Sequence, residues 1–485
     1  MRRSGRITGT VIAIASLTAG GLLWQAPVAS AATGCLTSSS DFDRDGVPDV
    51  AVGIPGHSGS PGAVQVRLSN KGKPFTTTIS GAPGFGTALT SLSSYAGRGD
   101  EELCSQLVVG SPDESLSTDL RRSGVVYVYV WRSQNHRFEL RGTFQPQSQG
   151  VKGKAQSGAR FGAALAAEQR PAGQGGSQPT RLYVGAPGFD IDEFADTGSV
   201  TSFWIDADED PSAHDTEITE LGEPLSDEPT PGAALGSSLS VAGGVVAMGM
   251  PGFSAGDKSG AGGVVLEPVA SNPDSPLTLL TQSTPGVPGT NERGDHFGAS
   301  VHLSPGRPGT APTLLVGTPG EDVGGIKDAG AVTVARISPT TLEPVGKVRT
   351  VNQNSAGMAG TAERGDQFGA SVSTTRYHGK TVFLVGVPGE DVGRVRDAGM
   401  VQTIGSGKGW TQDSAGVPGR AEAGDRMGAS LGGSVDTGAT RPLIGVPGED
   451  SSTGGVLIGL PSDGYRLAFP MGTHPGDRYG FSVGP

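Results

Sequence analysis

The chain has 485 residues, with 35% hydrophobic and only 5% aromatic side chains, 81 Gly and 35 Pro. Its formal net charge of −12 disfavours nucleic acid and anionic membrane surfaces as partners, because both recruit clustered Lys and Arg. So much Gly and Pro without a strict triplet period excludes a collagen-like chain and leaves either a disordered protein or a Gly-rich repeat fold.

The first predicted element is an export signal over residues 1–31. Three arginines precede an apolar stretch from Val11 to Leu23, and Ala29-Ser30-Ala31 provides a small-x-small cleavage site. No other stretch approaches the ~20 apolar residues that a membrane span requires. We therefore expect a secreted, extracellular protein with no membrane span. A lipid anchor on Cys35, which would attach the protein to the cell surface, is the alternative.

Two cysteines follow the export signal, Cys35 and Cys104. In an oxidising compartment a disulfide between them is the expected state. Closing so long a loop stabilises a fold by roughly 4 kcal/mol in the chain-entropy model. The bond would also hold the new N-terminus against the neighbouring repeat.

An aspartate-rich loop directly precedes the first predicted strand. Carboxylates stand at positions 1, 3, 5 and 9 of the loop, and Gly46 at position 6 permits the sharp turn of a calcium loop. A strand follows instead of a helix, so the loop differs from an EF-hand, and an acidic surface turn is the alternative. Other repeats lack this spacing, so one Ca²⁺ site is expected. Its predicted ligands are Asp41, Asp43, Asp45, Asp49 and the backbone carbonyl of Val47.

Two short motifs alternate along the rest of the chain, each occurring seven times and out of step by one. The first is an aromatic or aliphatic residue followed by Gly: Phe85-Gly86, Phe161-Gly162, Leu235-Gly236, Phe297-Gly298, Phe368-Gly369, Met427-Gly428 and Tyr479-Gly480. The second ends an apolar run with Gly-x-Pro, at Gly53, Gly110, Gly185, Gly249, Gly317, Gly386 and Gly445. The first Gly-x-Pro, at Gly53, has no aromatic-Gly motif before it, and Tyr479-Gly480 has no Gly-x-Pro after it. In a closed ring the last strand completes the first repeat, so these two motifs belong to one unit.

The unit from Gly294 to about Asn354 shows the predicted strands. A first strand begins at Asp295, and the apolar run at 314–317 is a buried second strand that the following Pro-Gly must end. A third strand covers 331–334, and a more polar fourth lies near 346–351. Four short antiparallel strands per unit form one propeller blade.

The sequence therefore predicts an all-β, seven-bladed β-propeller, closed by pairing of the C-terminal strand with the N-terminal blade. Full closure leaves no open sheet edge. The predicted propeller spans 32–485. Its first blade combines 475–485 with 35–80, and the other six cover 83–146, 158–222, 231–283, 292–354, 363–413 and 422–470.

These motifs resemble the FG-GAP repeats of the N-terminal propeller of the integrin α-subunit. The Phe-Gly pairs, Gly185-Ala186-Pro187 with its variants, and the following Ala-Gly-x-Val carry the resemblance, which covers essentially the whole chain after the export signal. It implies a seven-bladed propeller with calcium loops and a general role in extracellular binding. It names no partner, because function depends on sites carried by the fold.

Arg-Gly-Asp occurs three times, ending at Asp100, Asp295 and Asp366, and could present a ligand to cell-surface receptors. Equivalent positions read Ala423-Gly424-Asp425 and Pro475-Gly476-Asp477, so only Gly-Asp is repeated. We therefore interpret the Asp as an acceptor of backbone N–H groups in the turn before the first strand.

The loops between second and third strands carry another acidic motif in the last three blades. Since these loops share one rim of a propeller, one interpretation is an acidic binding face, and the other is a set of solvated turns. The residues are Glu321, Asp322, Glu390, Asp391, Glu449 and Asp450.

Gly-x-Ser-x-Gly occurs around Ser254 and Ser430, which raises the alternative of an esterase-like secreted hydrolase or an accessory subunit of a surface enzyme. Neither match stands between a strand and a helix, as a nucleophile elbow requires. We expect instead a noncatalytic, monomeric binding or adhesion module without catalytic or organic-cofactor residues. Its expected partner is an extracellular protein or glycan.

Overall fold

The computed structural model describes residues 40–56, 61–96, 103–148, 150–168, 180–205, 213–220, 229–269, 276–307, 309–377, 380–433, 442–459, 466–468 and 476–484. Almost every regular element in these ranges is a strand. Helix is confined to a 3-10 turn at Asn70–Gly72 and a single turn, α1, at Glu449–Ser452. Within the same ranges, no helix has the length and apolar character that crossing a membrane requires.

Twenty-eight strands lie in the described residues. Their bounds are β1 (Val50–Ile54), β2 (Ala63–Leu68), β3 (Phe75–Ser80), β4 (Ala88–Ala96), β5 (Leu103–Ser111), β6 (Val125–Arg132), β7 (Arg137–Phe144), β8 (Ala164–Ala167), β9 (Thr180–Ala186), β10 (Ser199–Ile205), β11 (Ala213–Glu220), β12 (Ser238–Ala242), β13 (Val245–Met250), β14 (Gly263–Pro268), β15 (Thr278–Leu280), β16 (Ser300–Ser304), β17 (Thr313–Thr318), β18 (Ala331–Arg336), β19 (Arg349–Val351), β20 (Ser371–Tyr377), β21 (Lys380–Val387), β22 (Met400–Thr403), β23 (Gly409–Trp410), β24 (Leu431–Gly432), β25 (Leu443–Val446), β26 (Gly455–Ile458), β27 (Arg466–Ala468) and β28 (Ser482–Val483).

Antiparallel pairing joins these strands into seven four-stranded sheets. Blade 1 has the order β28-β1-β2-β3, and blades 2 to 7 take β4–β7, β8–β11, β12–β15, β16–β19, β20–β23 and β24–β27 in turn. Six blades therefore use consecutive strands, and one combines the last strand with the first three. The chain is a seven-bladed β-propeller.

The two ends of the propeller meet in blade 1. β28 pairs antiparallel with β1, so that Val52 faces Val483. Tyr479, just before β28, is buried, and its hydroxyl donates to Gln65 Oε1 at 3.1 Å. The predicted closure of the ring by the C-terminal strand is confirmed.

The second strand of a blade is covered on both faces. β13 is buried at every residue, whereas β3, at the outer edge of its sheet, is exposed or half-buried throughout. A strand between two neighbours and two faces of side chains needs a continuous apolar run instead of an alternating pattern. For this reason the second strands are the clearest strand signals in the sequence.

The hydrophobic core lies between adjacent blades. Phe297 is fully buried in a cluster with Val264 and Leu266 of the preceding blade and Leu314 and Val316 of its own blade. Burial of such a side chain contributes about 1.5–3 kcal/mol. The residue at this position is buried in every blade: Phe85, Phe161, Leu235, Phe297, Phe368, Met427 and Tyr479.

The two repeated motifs meet wherever one blade contacts the next. A Cβ on Gly317 would lie 2.0 Å from the carbonyl oxygen of Gly369, so only glycine fits at the Gly-x-Pro position. Gly369 itself has φ 92°, which favours glycine. Ser300 Oγ donates to the same Gly369 oxygen at 2.8 Å. This serine bond recurs from Ser238 to Gly298, Ser371 to Gly428, Ser430 to Gly480 and Ser482 to Gly86.

The first strand of a blade begins later than the sequence predicted. In blade 5 it starts at Ser300, not at Asp295. His296 and Gly298 have φ of 56° and 89°, left-handed values that a strand does not adopt. The Phe-Gly pair is therefore a turn that inserts its large side chain between two blades.

Candidate metal centre and the acidic blade junctions

The aspartate-rich loop is held in place at both of its ends. The Asp49 N–H donates to the Ser40 carbonyl at 2.9 Å, and Gly46 has φ 88° at the sharp turn. The Phe42 ring packs edge-on against Phe138 of blade 2, with the ring centroids 5.7 Å apart. The loop therefore begins the chain entering blade 1 and contacts the neighbouring blade.

Three carboxylates of this loop converge. One oxygen each from Asp41, Asp43 and Asp49 lies within 4.8 Å of the others. Asp41 is fully buried and Asp49 is 3% exposed. Carboxylate oxygens are the ligands that Ca²⁺ prefers, and the other ligands of such a site are commonly carbonyls and waters.

Backbone N–H groups orient the buried carboxylates. The two oxygens of Asp41 accept from the N–H groups of Asp45 and Gly46, each at 3.1 Å. Asp49 Oδ2 accepts from the Phe42 N–H at 2.7 Å, and its Oδ1 accepts from the Ser69 N–H at 2.8 Å. The oxygens are therefore positioned before any ligand binds.

The loop concentrates negative charge in a buried place. Burial raises the pKa of Asp49 from 3.8 to about 8, and the nearby Asp43 carboxylate adds to the rise. Burial likewise raises the pKa of Asp41 to about 6, with Asp43 and Asp45 contributing. A bound divalent cation would reverse this, because it stabilises the ionised form of every carboxylate around it. The donor set thus fits Ca²⁺.

One predicted ligand, Asp45, lies outside the set of converging carboxylates. Asp45 Oδ2 accepts from the Ser69 hydroxyl at 2.5 Å, and Asp45 Oδ1 accepts from the Val47 N–H at 2.8 Å. The Val47 carbonyl faces the same Ser69 hydroxyl, at 3.5 Å. The spacing in the sequence could not show that the hydroxyl of Ser69, just after β2, donates to Asp45 Oδ2.

Other predictions fall on residues that the structure leaves undescribed. The export signal over 1–31, Cys35 and the side chain of Cys104 lie outside the described residues, and so does Asp100 of the first Arg-Gly-Asp. The disulfide, the export signal and the secreted location stay predictions.

The two described Arg-Gly-Asp sequences bury their aspartates. Asp295 and Asp366 are each 1% exposed. Their Oδ2 atoms accept backbone N–H groups from Glu292 at 2.6 Å and Glu363 at 2.5 Å. This agrees with their interpretation as turn residues, and neither carboxylate is available to a receptor.

The acidic rim residues divide by burial. Glu390 and Glu449 are 9% and 4% exposed, and Glu321 is half-buried, whereas Asp391 and Asp450 are exposed. The Asp391 carboxylate accepts the N–H of Asp397 at 2.9 Å, and Asp322, which is half-buried, accepts that of Asp328 at 3.0 Å. Of the six predicted rim residues, only Asp391 and Asp450 are exposed. The acidic binding face stays a prediction.

The glutamate of each of these three loops accepts a hydrogen bond from a glutamine of the preceding blade, a partner that the sequence did not reveal. Gln282 Nε2 donates to Glu321 and Gln353 Nε2 to Glu390, both at 2.6 Å, and Gln412 Nε2 donates to Glu449. The available signal was spacing, since each glutamine stands thirteen residues before the buried aspartate. We name these trios junction 5 (Gln282, Asp295, Glu321), junction 6 (Gln353, Asp366, Glu390) and junction 7 (Gln412, Asp425, Glu449).

The serines of the two Gly-x-Ser-x-Gly matches have different surroundings. Ser430 Oγ donates to the Gly480 carbonyl at 2.7 Å, so it serves the contact between blades 7 and 1. Ser254 is half-buried in the loop after β13. Neither motif stands between a strand and a helix in the described residues.

Comparison with protein-family models finds no match, and comparison with curated proteins finds none. Among solved structures, the chain is similar to a protein named as a putative 6-phosphogluconolactonase from Bacteroides fragilis NCTC 9343, with TM-score 0.45 and 12% identity over 90% of this chain and 97% of that one. A second, named in the same words, is from Bacteroides uniformis ATCC 8492, with TM-score 0.45 and 11% identity over 89% and 98%.

These comparisons correct one expectation. Both similar structures are named as enzymes, so the expectation that this chain is noncatalytic is overturned: a propeller of this kind is no ground for excluding catalysis. The seven-bladed fold that the integrin-type resemblance implied is confirmed, whereas no family model supports membership of the FG-GAP family. At 11–12% identity the likeness reaches no further than the fold.

Proposed function

We propose that the protein is a secreted, calcium-binding β-propeller that holds an extracellular protein or glycan on its rim. The observation that carries the proposal is the convergence of Asp41, Asp43 and Asp49 within 4.8 Å, with two of the three almost completely buried. Ca²⁺ in this loop would tie the chain entering β1 to blade 2, which Phe42 already contacts. Its role there is to stabilise the blade in which the two ends of the ring meet.

The calcium part is tested by thermal unfolding with Ca²⁺ or with a chelator. A ligand at 100 times its Kd stabilises the folded state by about 2.7 kcal/mol. We expect Ca²⁺ to raise Tm, and Asp49→Asn to reduce the calcium-dependent rise. Asp45→Asn is the matched control, because its carboxylate lies outside the converging set. An equal Tm in calcium and in chelator, together with no change of Tm in Asp43→Ala, would contradict this structural role of Ca²⁺.

The binding part follows from charge and exposure on one rim. Asp391 and Asp450 are exposed on equivalent loops of neighbouring blades, and the chain carries a net charge of −12. A positively charged region of the ligand is therefore the expected contact. Immobilised basic extracellular proteins and glycans should retain the wild type at low salt and release the Asp391→Asn/Asp450→Asn variant. Equal retention of both proteins would exclude this rim.

A hydrolase is the second candidate function, because the Gly-x-Ser-x-Gly match around Ser254 raises that alternative. Ser254 lies in the loop after β13 and is half-buried. Purified protein should be assayed against simple esters and lactones, with Ser254→Ala as the matched variant. Turnover by the wild type that Ser254→Ala loses would establish this activity, and turnover unchanged in Ser254→Ala would exclude that serine.

A further inference from the structure

Junctions 5, 6 and 7 repeat one arrangement of oxygen atoms at three places around the ring. In each, a buried aspartate precedes the first strand of a blade, a glutamate follows the second strand, and a glutamine arrives from the preceding blade. Gly320 fixes this frame in junction 5, where its N–H donates to the Asp295 carbonyl at 3.0 Å. The equivalent bonds are 3.1 Å from Gly389 to Asp366 and 3.0 Å from Gly448 to Asp425.

The two acids of a junction lie at the same backbone bond. In junction 6 the N–H that binds the Asp366 carbonyl belongs to Gly389, the residue just before Glu390, and Asp366 and Glu390 are 1% and 9% exposed. Two acidic side chains therefore enter the same junction. Burial of like charges is unfavourable, so a protein retains them where another group compensates.

A second observation points to a ligand at the same places. The Oε1 atoms of Gln282, Gln353 and Gln412 have no hydrogen-bond partner among the described residues, and these side chains are 2–3% exposed. In each glutamine the Nε2 of the same amide already donates to the junction glutamate. The unpaired oxygen thus lies beside the carboxylates, and in junction 7 Asp425 Oδ1 is a further buried oxygen without a partner. A buried acceptor without a donor needs an explanation.

The backbone also approaches these side chains closely. A Cβ on Gly360 would lie 3.2 Å from Gln353 Nε2 and 3.5 Å from Glu390 Oε1. A Cβ on Gly419 would lie 3.3 Å from Glu449 Oε1 in the equivalent place. Glycine therefore leaves room beside the carboxylate in both junctions.

Blade 3 shows that the three side chains change together. Its frame has the same bond, from the Gly188 N–H to the Ala159 carbonyl at 3.1 Å. There Ala159 replaces the aspartate, Phe189 replaces the glutamate and Pro146 replaces the glutamine. Loss of the whole set in one blade is expected if the three side chains serve one ligand.

We propose that junctions 5, 6 and 7 each bind one hard divalent cation of the Ca²⁺ type through the aspartate and glutamate carboxylates and the glutamine amide oxygen. All three donors are oxygens, the set that Ca²⁺ selects, and waters commonly complete the coordination of such a site. A cation satisfies the unpaired amide oxygen and neutralises the two acids at once. Since each site draws its ligands from two adjacent blades, the ion ties those blades together.

The test is the number of ions bound, measured by equilibrium dialysis of the full chain with Ca²⁺ as the probe. We expect about four Ca²⁺ per chain, one in the loop and one at each junction. Glu390→Gln and Glu321→Gln should each lose about one, because each removes a carboxylate charge while keeping size and a carbonyl oxygen. Asp391→Asn, next to Glu390 but exposed, is the matched control and should lose none.

The outcomes separate these sites from the loop. Asp49→Asn should still bind about three Ca²⁺ if the junctions are sites. A folded Asp49→Asn protein that binds none, or a stoichiometry unchanged in both glutamate variants, would overturn the proposal. Loss of one ion in each glutamate variant with none lost in Asp49→Asn would instead refute the loop and leave the junctions standing.

Discussion

Blades 4 and 6 share a backbone arrangement but differ in the side chains that pack there, which are apolar in blade 4 and acidic in blade 6. In blade 4, Ala233 and Phe253 are buried in an apolar cluster that includes Met250. In blade 6 the same two positions hold Asp366 and Glu390. The backbone frame is shared, since in each blade a glycine N–H donates to the first residue's carbonyl at 3.1 Å.

This difference separates what the fold requires from what a site requires. The apolar pair contributes hydrophobic burial without unpaired polar atoms, whereas burial raises the pKa of both carboxyl groups of the acidic pair. Replacing buried polar groups by hydrophobic ones of similar volume is often neutral or stabilising. Blade 4 packs against its neighbour without acidic residues at these two positions. Their presence in blade 6 therefore reflects a second role.

The largest expected effect comes from putting an acid into the apolar blade. Phe253→Glu should destabilise the protein by about 3–5 kcal/mol, because it removes a buried ring and places a carboxyl group among apolar side chains. Urea unfolding measures the difference. Phe253→Leu is the control, with a cost of about 1 kcal/mol. A glutamate variant no worse than the leucine variant would mean that the two blades are interchangeable.

The converse exchange should cost nothing in the absence of metal. Gln353→Pro/Asp366→Ala/Glu390→Phe copies the blade 3 set into blade 6. With chelator at pH 8 we expect this triple variant to match or exceed the wild type in unfolding free energy, by up to about 1–3 kcal/mol. With Ca²⁺ the order should reverse. Destabilisation of the triple variant under both conditions would show that the acids are needed for folding.

The acidic junctions should also make stability depend on pH. Burial raises the pKa of Asp366 to about 6 and of Glu390 to about 7, so between about pH 4 and pH 7 the folded state binds more protons than the unfolded state. Their contribution to stability is therefore present at low pH and lost as pH rises through this window. In chelator, the wild type should lose about 1–2 kcal/mol more than the triple variant between these values. Melting curves from pH 4.5 to pH 8 measure it, and parallel curves would contradict the assignment.

The smallest effect belongs to the exposed neighbour. Asp391→Asn keeps an oxygen that can accept the Asp397 N–H, so it should change the unfolding free energy by less than about 0.5 kcal/mol. Its stability should be measured beside Glu390→Gln in Ca²⁺. A change as large as that of Glu390→Gln would mean that the glutamate is not the member of the pair that matters.

The architecture could be predicted because it depends on backbone constraints that only certain residues meet. Gly317 must be glycine because there is no space for a Cβ, and glycine is favoured at Gly369 because its φ is positive. Such constraints leave motifs that can be recognised in the sequence. The carboxylates of Asp41, Asp43 and Asp49 were predictable from spacing within one short loop. The role of Gln353 was not, because its partner Glu390 is 37 residues away in the next blade. Likewise, only the fold reveals that the Ser69 hydroxyl donates to Asp45 Oδ2.

The pairing of β28 with β1 in blade 1 has a consequence for how the protein is made. Tyr479 and Gln65, which hydrogen-bond there, are 414 residues apart. Since a ribosome synthesises Gln65 long before Tyr479, the N-terminal part of blade 1 must wait for its C-terminal strand. The entropy cost of joining such distant segments is met only after the intervening blades have shortened the path between them. Until then β1 presents an unpaired edge, which makes the nascent chain vulnerable to aggregation and to proteases. We therefore expect the pairing of β28 with β1 to form after the intervening blades.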